Sequence, residues 1–240
     1  MYQNCAILVI GNEILSGRTH ELNAWQCAQQ LFKCGCRLSE IAVIADDRLQ
    51  IIETLNRFRM QYDAVICSGG IGPTHDDITM QAVADAFAVS LDEHESSLAY
   101  MQSYYNERSE VLNDGRRRMC RLPRGAKPLL CDKTIAPGAC IENVYVLAGV
   151  PQIFDSQFES ISHLFGGQPF MRREIEVTFA ESQFAEALEK LATQFSEVEM
   201  GSYPILCGQG ANGRICLSSQ NETQLDQAEV GVKEMLQRLK

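Results

Sequence analysis

Positive charge is scarce in this 240-residue chain: 21 Lys and Arg face 31 Asp and Glu, for a formal net charge of −10. Proteins that hold nucleic acid through its phosphate backbone carry a basic surface, so this balance argues against nucleic acid as the main partner. No apolar run approaches the ~20 residues of a membrane span. The amino terminus, Met1-Tyr2-Gln3-Asn4-Cys5, lacks the basic stretch and apolar block of a signal peptide. The expectation is a cytoplasmic protein with no membrane contact. Metal-binding cysteine pairs are missing too. The ten cysteines (Cys5, Cys27, Cys34, Cys36, Cys67, Cys120, Cys131, Cys140, Cys207 and Cys216) contain no Cys-x-x-Cys. Isolated thiols in an intracellular chain read as small buried apolar residues. The four histidines (His20, His75, His94 and His163) are scattered, which argues against a His/Cys-ligated metal.

What is present is the composition of a globular protein, 45% hydrophobic and 22% charged. The first half alternates short β-branched runs with amphipathic stretches, the pattern of parallel strands joined by crossover helices. Strands are expected at 5–10, 38–45, 63–68 and 139–147, and helices at 21–35, 48–61, 78–88, 93–108, 113–119 and 151–165. Gly166-Gly167-Gln168-Pro169 reads as a linker. After it the order β-α-β-β-α (strand 172–179, helix 182–195, strands 197–201 and 213–219, helix 222–239) suggests a split βαβ unit. The predicted class is therefore α/β with a mostly parallel sheet in residues 1–168, followed by a small α+β domain in 169–240.

The densest motif, Ser68-Gly69-Gly70-Ile71-Gly72-Pro73-Thr74-His75-Asp76-Asp77-Ile78-Thr79, lies between a strand and a helix. Glycines there let backbone N–H groups approach an anion, and the following helix adds its positive end. The motif is neither a dinucleotide fingerprint, because His75 stands at the last glycine position, nor a P-loop, because no Gly-Lys-Ser/Thr follows. Asp76 and Asp77 would repel a phosphate unless a cation intervened. A hard divalent ion held by one or two carboxylates and substrate oxygens resolves the conflict. Alternatively, Asp77 caps the next helix and Asp76 faces water. Asp46-Asp47 follows the previous strand in the same way, with Asp47 again a candidate cap. Parallel strands share one C-terminal edge, so Asp46, the 68–77 segment, the 11–17 loop with Gly11 and Glu13, and Gly149 can line one crevice. Arg116-Arg117-Arg118 reads as a solvated helix face or a phosphate clamp. Gly201-Ser202-Tyr203-Pro204 reads as a turn ending a strand, or as a contact with the site.

The 69–79 motif resembles the signature of the molybdopterin-binding (MoaB/Mog-like) domain, in the version found in the competence/damage-inducible protein A (CinA) family. Gly11-Asn12-Glu13-Ile14-Leu15-Ser16-Gly17-Arg18-Thr19 with Asn23, Asp46-Asp47, Ala136-Pro137-Gly138, Ala148-Gly149-Val150-Pro151 and Gly201-Ser202-Tyr203-Pro204 resemble family segments in the same order. The chain is similar to the short, stand-alone members and to the amino-terminal domain of eukaryotic FAD synthases. The amidohydrolase domain of the longer members is absent from it.

The resemblance implies a three-layer α/β/α domain whose strand C-termini bind a phosphorylated pterin or a nucleotide, and a homodimer or larger homo-oligomer. It places functional aspartates at Asp46 and Asp77. The function expected is metal-dependent hydrolysis of a nucleoside-diphosphate derivative such as ADP-ribose or FAD. In that reading Gly69, Gly70 and Gly72 hold phosphate, and Gly11, Glu13, Ser68, Pro73, Thr74, Gly138 and Gly149 line the ligand site. Asp46 and Asp77 hold Mg²⁺, with Mn²⁺ or Co²⁺ as alternatives, and Asp76 or a metal-bound water is the nucleophile. The rival readings are a molybdopterin or nucleotide carrier without turnover, and a pterin adenylyltransferase. Asn12 stands where relatives usually have Asp or Thr. Cys131-Asp132-Lys133 replaces a stretch that usually contains Asn-Pro, which puts the base or pterin pocket in question more than the phosphate site.

Overall fold

A computed structural model of the protein, describing residues 1–205 and 212–239, divides into two units, Met1–Gly167 and Gln168–Lys240. In the first, β1 (Asn4–Ile10), α1 (Asn12–Leu15), α2 (Asn23–Cys34), β2 (Arg37–Ile44), α3 (Arg48–Gln61), β3 (Ala64–Ser68) and α4 (Thr79–Ala86) form the alternating half. There follow β4 (Leu91–Glu93), α5 (Glu95–Glu107), α6 (Asp114–Arg118), β5 (Arg121–Pro123), β6 (Lys127–Cys131), β7 (Thr134–Ile141), β8 (Val144–Leu147) and α7 (Pro151–Ile161). The second unit contains β9 (Met171–Val177), α8 (Ala185–Gln194), β10 (Glu199–Ile205), β11 (Asn212–Ser219) and α9 (Glu222–Gln237).

The main sheet has the order β2-β1-β3-β8-β7-β6. β1 is parallel to β2 and β3, and β3 is parallel to β8. β1 is buried on both faces, as a central parallel strand must be. Ala6, Leu8 and Ile10 join one apolar cluster with Leu55 and Phe58 of α3 and Val83 of α4. Cys5, Ile7 and Val9 join a second with Leu31 of α2 and Phe154 and Phe158 of α7. The period-two alternation of one strand thus sorts helices onto two sides of the sheet and produces the three layers. Local chemistry sets the helix ends. α2 stops at Gly35, which takes a left-handed φ of 80° that a Cβ would penalise. Asp47 caps α3 by accepting from Gln50 N–H at 2.8 Å, and Pro151 opens α7.

The expected strand 139–147 is in fact a hairpin. Its apolar run is cut at Glu142, whose φ of 50° reverses the chain, and β7 returns antiparallel to β8. β6 then adds to β7 as an edge strand, also antiparallel. Pro137 has no N–H to donate, and the β6–β7 register shifts between Leu129 and Cys131. β4 and β5 pair in a separate two-stranded sheet. The expected helix 182–195 begins with a 3-10 turn at Glu181–Gln183 before α8.

In the second unit β11 lies between β9 and β10 and is antiparallel to both, so β9-α8-β10 is a split βαβ. Residues 201–204 lie within β10, not in a turn. β10 is an edge strand, where Pro204 removes no sheet hydrogen bond that a second neighbour would need. Cys5, Cys27, Cys36, Cys67 and Cys120 are buried, whereas Cys34, Cys131, Cys140 and Cys216 are partly exposed; Cys207 lies outside the described residues. Burial pushes the Cys67 thiol up to about 12. No described helix is long and apolar enough to cross a membrane.

An ion pair fastens edge strand β2 to α3. Both Arg57 guanidinium nitrogens donate to Glu40, at 2.7 and 2.8 Å, and the Tyr62 hydroxyl donates at 2.7 Å. Arg57 first and Tyr62 second hold the Glu40 carboxyl down to about 2. A depressed folded-state value contributes stability above the unfolded value of about 4.3, and that contribution is lost as pH falls towards 2. An NMR titration should place Glu40 near that lower value and return it towards the ordinary range in Arg57→Ala. An unchanged midpoint in the variant would remove Arg57 as the cause.

Candidate functional site

β1, β2, β3 and β8 are mutually parallel, so the loops after Ile10, Ile44, Ser68 and Leu147 emerge at one edge of the sheet. The sharpest follows β3. Gly69 and Gly70 take φ values of 102° and 67°, where side chains are strained. A Cβ on Gly69 would lie 2.2 Å from Ile10 O, and one on Gly70 would lie 2.3 Å from Thr79 Oγ1. Thr79, buried at the start of α4, donates its hydroxyl to Gly69 O at 2.8 Å and its N–H to Gly70 O at 3.0 Å. The loop is thereby closed onto α4. Gly69 N–H donates to Leu147 O at 3.2 Å. Among the described residues, the N–H groups of Gly70, Ile71 and Gly72 have no protein acceptor.

The two loop aspartates diverge. Asp77 Oδ2 accepts from Thr74 N–H at 2.8 Å and from the Thr74 hydroxyl at 2.6 Å. It does not cap α4, whose N-cap is Ile78 with no side-chain hydrogen bond. Asp76 is exposed, and its carboxyl is held below the usual range first by the Thr74 hydroxyl, then by its own backbone and by His75. From outside, Arg118 donates to Thr74 O at 3.1 Å, bracing the loop, while Arg116 and Arg117 pair with Glu110 and Glu93. At the end of β2, Asp46 Oδ2 accepts from Asn12 N–H at 2.8 Å and so ties that strand end to α1.

Two hollows open at this edge. The larger, of about 470 Å³, is walled by Gly69–Gly72 and Asp77, by Gly149–Pro151 at the start of α7, and by Glu13, Thr19, Thr134 and Ala136. Ile71, Met119, Val150 and Ile153 give it an apolar side. The smaller, of about 60 Å³, shares Glu13, Thr19, Gly69, Gly149 and Pro151 with it and adds Ser68, Asn23, His20 and Glu21. Of the residues singled out in the sequence, Glu13, Gly69, Gly70, Gly72, Asp77 and Gly149 lie on the larger wall and Ser68 on the smaller. Gly11, Asp46, Pro73, Thr74 and Asp76 lie on neither. Gly138 is a packing position, where a Cβ would meet Val146 O at 2.5 Å.

Met119, Thr134 and Ile153 were not singled out in the sequence, and Thr19, Ala136 and Val150 stood there only within family-like segments. Val150-Pro151 carried a usable signal, a strand end followed by proline, but Thr134 is brought here only by the β7 return. The strand ends are held by two buried amides. Asn23 donates to Ser68 Oγ at 2.8 Å and Gly149 O at 2.9 Å, and Gln157 accepts from Ala148 N–H at 2.8 Å.

Among the described residues no Lys, Arg or Cys lines either hollow, and no group of three or more His, Cys, Asp or Glu could hold a metal by itself. Free N–H groups beside carboxylates stand at the C-terminal edge of a doubly covered parallel sheet, the edge at which open α/β domains bind their ligands. The chain belongs to the family described as the probable molybdopterin binding domain, whose model matches residues 6–173. Residues 169–240 match the middle domain of FAD synthase. A protein of Pyrococcus furiosus is 35% identical, with 82% of this chain and 84% of that protein covered. A probable FAD synthase of Caenorhabditis elegans is 29% identical over 98% of this chain, which spans half of that protein's length. The solved structure of the protein CinA from Thermoplasma acidophilum superimposes with a TM-score of 0.63 at 28% identity, covering 68% of this chain and 98% of its own.

Proposed function

We propose that this chain is a metal-dependent hydrolase that splits the pyrophosphate of a nucleoside-diphosphate derivative of the ADP-ribose or FAD type. One observation carries the reading: the larger hollow offers a phosphate the unpaired N–H groups of Gly70, Ile71 and Gly72, yet among the described residues its only charged ones are Glu13 and Asp77. An anion beside two carboxylates and no base requires a cation to enter with it.

The donor set suits a hard divalent ion that arrives on its phosphate. Asp77 would hold it from the wall, with one carboxylate oxygen on Thr74 and the other unbonded. Asp46, at the neighbouring strand end, is the second candidate. Such an ion, when bound, would neutralise charge on the phosphoryl oxygens. The chain itself orients the phosphate through the 70–72 N–H groups and shields it from water with Ile71, Met119, Val150 and Ile153. Likeness to FAD synthases along nearly the whole chain supports a dinucleotide-type substrate.

A second reading, a pterin held or adenylylated at the same edge, is favoured by the family match of residues 6–173. Chromatography of products after incubation with ADP-ribose or FAD and Mg²⁺, Mn²⁺ or Co²⁺ separates the two. The expected result is AMP release that stops on chelation. No release from any combination, with a thermal shift by a pterin, would reverse the preference.

A further inference from the structure

The smaller hollow is bordered by a polar atom that the protein leaves unsatisfied. Asn23 is 4% exposed, and its amide nitrogen donates to Ser68 Oγ and Gly149 O. A backbone carbonyl can only accept, so Gly149 fixes which end of the amide carries the hydrogens. Asn23 Oδ1 is then buried with no hydrogen-bond partner. Leaving an acceptor in that state costs its full desolvation penalty, and a donor entering the hollow would remove that cost. At about 60 Å³ the hollow has room for water beside Asn23. Glu13 is one of five residues on the walls of both hollows, and the only acidic one among them.

We propose that the smaller hollow holds the water that attacks the pyrophosphate seated in the larger one, with Asn23 Oδ1 and the Glu13 carboxylate accepting its two hydrogens. The inference rests on the pyrophosphatase reading and supplies its nucleophile. It replaces Asp76, which is exposed and lies on neither wall. In the step, the water oxygen bonds to phosphorus as the bridging P–O bond breaks, and that electron pair leaves with the departing phosphate. One water proton passes to Glu13, which returns it to the leaving phosphate or to solvent. Glu13 is the general base and Asn23 aims the water.

Glu13→Gln tests this with ADP-ribose and Mg²⁺, alongside the affinity for a methylene-bridged analogue that cannot be split. Among the described residues the Glu13 side chain makes no hydrogen bond, so the variant should fold normally. The expected result is a kcat about 100-fold lower, with KM and analogue affinity within about threefold of wild type. Asn23→Ala should also lower kcat, but it cuts two buried hydrogen bonds, so its thermal midpoint is read beside its rate; if it unfolds, Glu13→Gln alone decides. Full turnover in Glu13→Gln overturns the water site, as does a raised KM with unchanged kcat. A wild-type protein that splits neither ADP-ribose nor FAD overturns the pyrophosphatase reading itself, and the water site with it.

Discussion

Asp77→Asn is expected to lower metal-dependent AMP release by at least ~100-fold while moving the thermal midpoint by no more than about 2 °C. The two halves of this result come from different atoms. The structural duty of Asp77 is to accept from Thr74 N–H and from the Thr74 hydroxyl, both at Oδ2. An asparagine oxygen can take over both bonds, and Gly72, whose Cβ would lie 2.7 Å from that oxygen, keeps the space for it. The charge is what the substitution removes. Among the described residues the only other charged residue of that hollow is Glu13, so under the proposed reading the loss would fall on cation binding. Parallel melting and turnover curves check it. A variant that melts early but retains its activity per folded molecule would make Asp77 a loop brace and nothing more.

The second large effect is on stability. Gly69→Ala is expected to destabilise the first unit by about 3 kcal/mol or more, lowering its midpoint by roughly 6–12 °C. Two costs add there: a left-handed φ of 102°, and a Cβ built 2.2 Å from Ile10 O, a backbone atom of the central strand that cannot swing aside. Gly17→Ala is the control. Gly17 has a φ of 70° and nothing within 4 Å of the added carbon, so it reports the φ cost alone, about 1 kcal/mol. Equal shifts in the two variants would show that β1 and the loop move apart cheaply.

The alternating half of the fold was legible because each step leaves its own mark. β1 is apolar on both faces, α2 ends at a glycine that must be left-handed, and α3 begins after an aspartate that accepts the N–H of Gln50 in its first turn. The hairpin of β7 and β8 left no such mark. Its reversal is made by Glu142, a residue type with no preference for a φ of 50°, and the polar pair Glu142-Asn143 is a short break between two apolar runs. Missing that reversal hid Thr134, which reaches the larger hollow because β7 starts at the edge where β3 ends and runs away from it.

The site was legible at the level of the sheet edge and not of the side chain. Asp76 and Asp77 are neighbours in the chain, yet one is exposed and the other lies on the wall, because Thr74 folds the loop around a carboxylate oxygen of Asp77. Arg118, one of three identical residues in a row, braces that loop while its neighbours pair with surface carboxylates. Only the register of α6 against the loop separates them. Asn23 gave no chemical sign in the sequence beyond its place in a family motif, since its importance comes from two strand ends 45 and 126 residues away.

The strand order β1-β3-β8 also sets a timetable for the newborn chain. β3 can dock beside β1 soon after it leaves the ribosome, but its other neighbour begins at Val144, whereas β3 ends at Ser68. At about 5–20 residues per second, translation takes several seconds to make the intervening stretch. Throughout that delay β3 shows an unpaired apolar edge, the kind of surface that chaperones bind and that aggregates recruit. Yield in the cell should therefore be sensitive to how fast the segment between Gly69 and Asn143 is translated, even when the finished protein is equally stable.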